Sequence, residues 1–227
     1  MKTIQIFFTL ILVYSSLIAQ EKLKKVSIQF MWLDQFEFAG FYVAHEKGFY
    51  KNLGLDVEFV KYTKDTNIVE NVVSKKADFG TGSSSLLVDK SKGKDIILLG
   101  SIFQSSPLML LGLKSKNLTK LEDIKNKNVM LAKDQQRFAT LQAMLTSRNV
   151  KLEDINILEH SFNVDDLINK KTDLMIAYST NEPYILNEKG YESKIFHPKD
   201  YGFDFYENII FTTNDFANKK PDIVSKF

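Results

Sequence analysis

Two segments of this chain repeat one another about 95 residues apart, and that repeat limits what the chain can fold into. Lys76-Ala77-Asp78-Phe79 runs into Gly80-Thr81-Gly82-Ser83-Ser84-Ser85. Lys171-Thr172-Asp173-Leu174-Met175-Ile176-Ala177 runs into Tyr178-Ser179-Thr180-Asn181-Glu182. Each has a basic helix end, an Asp, a short apolar strand and a polar turn. Each also follows a strand-like stretch, Leu55–Val60 or Ile155–Glu159, and a short helical one. One α/β unit used twice predicts two lobes facing each other, their polar strand ends converging on a cleft. That architecture suits a protein that grips a small molecule.

The N-terminus has its own signature. Met1-Lys2 precedes an apolar stretch from Ile4 to Ile18, broken only by Gln5, Thr9, Ser15 and Ser16, and Ala19-Gln20 follow. A charged start, a short apolar core and a small residue before polar sequence predict a cleavable secretory signal peptide at residues 1–19. An uncleaved N-terminal anchor is the other reading; the stretch is short for a span of about 20 residues. The chain has no Cys, hence no lipoprotein attachment residue and no disulfide. Export without disulfides points to a periplasm. Lys and Arg number 30 against 28 Asp and Glu, a net charge of +2, too balanced to predict binding to nucleic acid or an anionic membrane.

Along the chain, Val26–Met31 reads as the opening strand, with a loop at Trp32-Leu33-Asp34-Gln35 and a helix over Phe36–Lys47. Gly48 fits a left-handed helix end. Leu55, Val57 and Phe59 alternate with Asp56 and Glu58 as a half-buried strand does. Asp65 or Thr66 is expected to cap a helix carrying Ile68, Val69, Val72 and Val73, and Ser83 or Ser84 the helix after Thr81. Ile96-Ile97-Leu98-Leu99 reads as a central parallel strand covered on both faces. Leu108–Leu113 crosses to the second lobe. There, strands at Val129–Ala132, Ile155–Leu158 and Leu174–Ala177 alternate with helices at Phe138–Ser147 and Val164–Ile168. Asn208–Thr213 returns to the first lobe, and Asn214 or Asp215 opens a helix that has only begun at Phe227; further C-terminal residues are expected. Strands alternating with helices predict an α/β fold with mostly parallel pairing. The expected division is lobe 1 at 20–107 and 214–227, and lobe 2, with the crossing strands, at 108–213.

Residues 30–44, Phe-Met-Trp-Leu-Asp-Gln-Phe-Glu-Phe-Ala-Gly-Phe-Tyr-Val-Ala, and then Glu46-Lys47-Gly48-Phe49-Tyr50-Lys51-Asn52-Leu53-Gly54-Leu55-Asp56-Val57 resemble a known signature. It belongs to the periplasmic substrate-binding proteins for thiamine-pyrimidine precursors, a family that includes aliphatic-sulfonate binders and the fungal thiamine pyrimidine synthases. Ala77-Asp78-Phe79-Gly80 and Thr180-Asn181-Glu182-Pro183-Tyr184 resemble its later motifs. The similarity covers roughly residues 26–227. It implies a type II periplasmic binding protein fold, with two α/β lobes joined by two crossing strands and a ligand cleft between them.

Candidate site residues follow, each with a plainer alternative. Trp32, the only Trp, stands at the mouth of the first strand, where an indole stacks on a heteroaromatic ring or packs under its loop. Asp34, two residues on, points the same way in an extended segment. It accepts from an exocyclic amine, or it is a solvated loop acid or cap. Gly80, Gly82, Ser83 and Ser84 offer N–H groups and hydroxyls at a helix start, for a ligand or only for capping. Asn181 and Glu182 hold the equivalent place in lobe 2; Glu182 is a second acceptor or a first-turn acid favoured by the helix dipole. Tyr178 closes the far face of the ring. Arg137, beside Gln136, pairs with an anionic group or is a surface Arg. His45, His160 and His197 have no metal-binding spacing.

The fungal synthases of this resemblance need a Lys and a His after the Asp-x-Gly strand, and a Cys-rich motif. Gly80 to Leu86 holds neither residue and the chain has no Cys, so no enzyme activity and no cofactor is expected. The expected function is an ABC-transporter solute receptor for a small heteroaromatic pyrimidine precursor of the hydroxymethyl or formylamino type, a monomer partnered by an inner-membrane permease. The alternative is the sensor domain of a membrane kinase or cyclase; the synthase is the third reading.

Overall fold

A computed structural model describes residues 22–132 and 138–227. The expected signal peptide, and Gln136 and Arg137, lie outside the described residues. The first lobe opens with β1 (Lys24–Gln29), whose Val26 and Ile28 are buried. A 3-10 turn at Phe36–Phe38 leads into α1 (Ala39–Glu46) and α2 (Phe49–Asn52). Gly48 joins the two helices at a φ of +69°, a conformation that penalises any Cβ. β2 (Leu55–Val60) buries Leu55 and Val57 and exposes Asp56 and Glu58, as its alternation predicts. α3 (Ile68–Val73), β3 (Phe79–Gly82), α4 (Leu86–Ser91) and β4 (Ile97–Phe103) follow.

The second lobe holds β5 (Leu108–Leu113), β6 (Asn128–Leu131), α5 (Ala139–Thr146), β7 (Asn156–Glu159), α6 (Asp165–Ile168), β8 (Leu174–Tyr178), α7 (Glu182–Glu188) and β9 (Ser193–Phe196). β10 (Glu207–Thr212) then pairs in the first sheet, ahead of α8 (Asn214–Lys219) and α9 (Pro221–Lys226). No described helix is long and apolar enough to cross a membrane.

The two five-stranded sheets have the same plan: β2-β1-β3-β10-β4 and β7-β6-β8-β5-β9. In each, the first three strands are parallel, and the fourth is antiparallel to both its neighbours. Half the ladders are therefore antiparallel, where strand–helix alternation predicts mostly parallel pairing. β5 and β10 enter from the opposite sheet through irregular links, without the crossover helix that parallel pairing uses.

The sequence repeat has a physical basis in these sheets. Asp78 Oδ2 accepts from the Ser27 backbone N–H at 2.9 Å, while the Asp78 N–H donates to Ser27 O at 3.2 Å. Asp173 Oδ2 accepts from Asn128 N–H at 3.1 Å, and its own N–H donates to Asn128 O at 3.0 Å. The same reciprocal clamp fixes β1 to β3 and β6 to β8. It requires an acceptor side chain immediately before each strand, which is why Asp recurs there.

Several local expectations are corrected. Ile96–Leu99 does not form a central strand: β4 is the sheet edge, and its residues are half-buried or exposed. The strands buried at every residue are β3, β5 and β8, all inside their sheets. An apolar run alone does not distinguish a central strand from an edge that a lobe junction partly covers. Asn67, rather than Asp65 or Thr66, caps α3, its Oδ1 accepting from Glu70 N–H at 3.1 Å. Neither Ser83 nor Ser84 caps α4, which starts behind Ser85 without a side-chain cap. Thr213, one residue earlier than expected, caps α8 through Phe216 N–H at 3.0 Å.

Candidate functional site

The loop after β1 is pinned from below. Thr81 Oγ1, fully buried on β3, accepts the Met31 backbone N–H at 2.9 Å. Gln29 Nε2 donates to Phe30 O at 3.0 Å and Val60 O at 3.2 Å, while Asn71 Nδ2 donates to Gln29 Oε1 at 3.0 Å. With residues 29–31 held, Trp32 projects out of the first lobe. It is 5% exposed, enclosed by rings from both lobes. Tyr62 lies at 5.6 Å between centroids, Phe162 at 5.2 Å and His160 at 5.8 Å, the last two edge-on. Tyr178, at the end of β8, faces it nearly parallel, 6.1 Å away at 12°. Trp32, Tyr178, Asn181 and Glu182 thus come together. Trp32, His160, Phe162, Asn181 and Glu182 line a cleft of about 160 Å3.

The second-lobe side of this cluster is built with care for its polar groups. His160 Nδ1 accepts from Phe162 N–H at 2.9 Å, so its Nε2 carries the hydrogen given to Ile176 O at 2.9 Å. Burial lowers its pKa, holding the ring neutral. Phe162 has a φ of +59°, an outlier for a bulky residue, beside the only Trp. Glu182 commits its carboxylate locally: Oε2 accepts Tyr178 N–H at 2.8 Å and Oε1 accepts Asn181 Nδ2 at 2.8 Å.

The other expected residues are placed differently. Asp34 does not share the direction of Trp32; it is exposed and accepts from Tyr42 Oη at 2.6 Å. A bend after Met31 breaks the extended geometry on which that expectation rested. Gly80 and Gly82 are buried strand residues, paired to β10 opposite Phe211 and Ile209. A Cβ on Gly80 would fall 2.7 Å from the Phe211 ring. Ser84 Oγ meets Thr140 Oγ1 at 3.1 Å and Ser85 Oγ accepts Ala139 N–H at 2.8 Å, so this turn ties the lobes together. Ser83 lines a second cavity of about 200 Å3, with Met31, Ser85, Leu86, Phe138 and Gln142. Arg137 lies outside the described residues.

Sequence reasoning missed Glu37, Glu207 and Asn208. Glu37 sits in the 3-10 turn, and Glu207 and Asn208 open β10; the last two are fully buried. Burial pushes Glu37 up to about 8; the Asn208 amide offsets part of this and the Glu182 charge adds to it. Burial also pushes Glu207 up to about 8, partly offset by the Ser106 hydroxyl, which donates to Oε2 at 2.8 Å. A signal was available: each Glu interrupts an apolar stretch, Phe36–Phe38 in one case and the run before Ile209-Ile210-Phe211 in the other. Among the described residues no group of three or more His, Asp or Glu is arranged to hold a metal ion.

Residues 35–227 match the family model described as NMT1/THI5 like. The riboflavin-binding protein RibY of Chloroflexus aurantiacus is 23% identical over 219 residues, 92% of this chain and 61% of that protein. The formylaminopyrimidine-binding protein of Halalkalibacterium halodurans is 19% identical over 211 residues, 91% of this chain and 64% of that protein. The chain thus spans less than two thirds of the length of both relatives. Among solved structures, the periplasmic aliphatic sulphonate binding protein SsuA of Escherichia coli superposes with a TM-score of 0.61 at 14% identity, covering 89% of this chain and 69% of that one. An ABC uptake transporter substrate binding protein of Streptococcus pneumoniae with bound histidine gives 0.61 at 15%, covering 89% and 85%. The fold is that of the type II periplasmic binding proteins.

Proposed function

On the premise that the chain belongs to the NMT1/THI5-like family, we propose that it is a periplasmic solute receptor for a small flat heterocycle, working with an ABC permease and carrying out no chemistry of its own. One observation carries this reading: the only Trp leaves the first lobe to face Tyr178 of the second across 6.1 Å, nearly parallel. Carbon atoms in contact sit about 3.5 Å apart, so a ring sandwiched between two others needs about 7 Å. A small parting of the lobes therefore opens the Trp32–Tyr178 pair to an aromatic guest. Closure then stacks the guest from both sides, and ligand favours the closed state because only that state touches it from both lobes.

The named relatives bind formylaminopyrimidine and riboflavin, both flat nitrogen heterocycles, which supports this ligand class over a sulfonate. A pyrimidine of the hydroxymethyl or formylamino type is a single flat ring of the kind that a parted Trp32–Tyr178 pair would stack. The two irregular links, residues 104–107 and 197–206, are the places for hinge motion. Signal-peptide export and a periplasmic location accord with the N-terminal pattern of charged start, apolar core and small residue.

Trp32 supplies its own test. Its fluorescence is titrated in the full-length protein with aminopyrimidines, riboflavin and taurine. The expected result is saturable quenching and a raised melting temperature with the heterocycles alone; mass action gives about 2.7 kcal/mol at a hundredfold excess over Kd. Response to taurine alone would leave the fold and remove the ligand class.

A further inference from the structure

Five buried side-chain atoms make no hydrogen bond: Glu37 Oε1 and Oε2, Glu207 Oε1, and Asn208 Nδ2 and Oδ1. Native proteins rarely leave such atoms unpartnered, so a group of them calls for a cause. They form one neighbourhood. The Asn208 side chain faces Glu37 closely enough to draw its pKa down without completing a hydrogen bond; Glu37 feels the charge of Glu182, and Glu207 feels that of Glu37. Two contacts tie the group to the slot. Phe103, the ladder partner of Glu207, meets the Tyr178 ring edge-on at 6.4 Å. Glu182 holds the Tyr178 backbone at 2.8 Å and lines the same cleft as Trp32.

The backbone adds an independent sign. Asn208 is fully buried, lies inside β10, and still has a φ of +49°. A strand residue gains nothing from a left-handed conformation in its own ladder. Such outliers gather where the fold holds a side chain in place for use, and here the side chain so held is an amide with both hydrogen-bonding atoms unpartnered.

We propose that Glu37 and Asn208 are the specificity-determining end of the slot, reading the edge of a heterocycle that carries a ring-nitrogen acceptor beside an exocyclic amine donor. The proposal deepens the reading of the Trp32–Tyr178 slot as the ligand site and rests on it. A neutral carboxyl matches that edge at two points: its O–H donates to the ring nitrogen, and its carbonyl oxygen accepts from the amine. The Asn208 amide, donor and acceptor at once, serves a neighbouring polar atom of the same ring. Burial keeps Glu37 protonated at neutral pH, the form this pairing needs. The groups that bear on its titration are Glu207 and Asn208 on β10 and Glu182 on α7. His160, which also feels Glu182, stays neutral.

The test uses 4-amino-5-hydroxymethyl-2-methylpyrimidine and its analogue with hydrogen in place of the amine, titrated against the full-length protein from pH 6.5 to 9.5. Wild type is expected to prefer the amine by about 10- to 100-fold. Its affinity is expected to hold below pH 7 and to fall toward tenfold per pH unit above pH 8, as Glu37 ionises and loses its donor. Glu37→Gln keeps a donor and an acceptor, so it is expected to bind within a few-fold of wild type and without the alkaline fall. Glu37→Leu, its folding checked by melting, is expected to lose the preference for the amine. Wild-type binding that Glu37→Leu leaves unchanged, or an alkaline fall that survives in Glu37→Gln, overturns the assignment and leaves the slot standing. Absence of any heterocycle binding by wild type overturns both.

Discussion

Glu207 offers the sharpest physical check on the buried cluster. Exposed in the unfolded chain it titrates near 4.5; in the folded protein burial raises it to about 8. Between those values the native state holds a proton that the unfolded state has lost, so unfolding free energy falls as pH rises. The slope is about 1.4 kcal/mol per pH unit for each such group, and the full interval amounts to at most about 5 kcal/mol. Other titrations must be kept out of the window. The lowered carboxylates, such as Asp95 and Asp166, gain their stabilisation at acid pH and are constant above it. His160 and His197, lowered by burial, add stability with rising pH only up to about the ordinary His value of 6.5. From pH 7 to 8 Glu207 and Glu37 dominate, and both act in the same direction.

Urea unfolding at pH 7.0, 7.5 and 8.0 reads this directly. With a slope of about 2–3 kcal/mol per molar urea, each group lowers the wild-type midpoint by about 0.5 M per pH unit. Glu207→Gln keeps an oxygen to accept from Ser106 Oγ and removes the titration. Its midpoint should fall about half as fast as that of wild type. A wild-type midpoint that is flat or rising over this range would refute the reasoning. So would a Glu207→Gln slope equal to that of wild type, because Glu207 would then already be ionised at pH 7.

Gly80→Ala puts a Cβ 2.7 Å from the Phe211 ring and 2.9 Å from Val72, so urea unfolding should register a loss of about 1–3 kcal/mol. A loss below about 0.5 kcal/mol would mean the ring yields freely. Asp78→Ala and Asp173→Ala each orphan one strand N–H, Ser27 or Asn128, and should cost similar amounts, about 1–3 kcal/mol. Clearly unequal losses would break the energetic equivalence of the two clamps. Trp32→Ala empties a site walled by four aromatic rings and should destabilise the closed arrangement by about 3–5 kcal/mol. A melting temperature within a degree of wild type would show that Trp32 adds little to holding the lobes.

The two-lobe plan is legible in the amino-acid order because the repeated Asp-and-strand unit is local chemistry: an acid that clamps the neighbouring strand must lie next to its own strand. That order also marked Trp32, Tyr178, Asn181 and Glu182, which stand at strand ends, where a doubly used α/β unit directs its polar turns. The fourth place in each sheet was a different matter. β5 and β10 occupy it by pairing with strands remote in sequence, and periodicity carries no information about partners or edges. The run at Ile96 therefore read as central although it is an edge, and Asp34 read as a companion of Trp32 until the bend after Met31 turned it to solvent. Glu37, Glu207 and Asn208 lay furthest from view. An acid inside an apolar stretch announces only that something unusual is buried. Which groups it meets there, and whether any of them satisfies it, is set by segments far apart in the chain folding against each other, which no local pattern encodes.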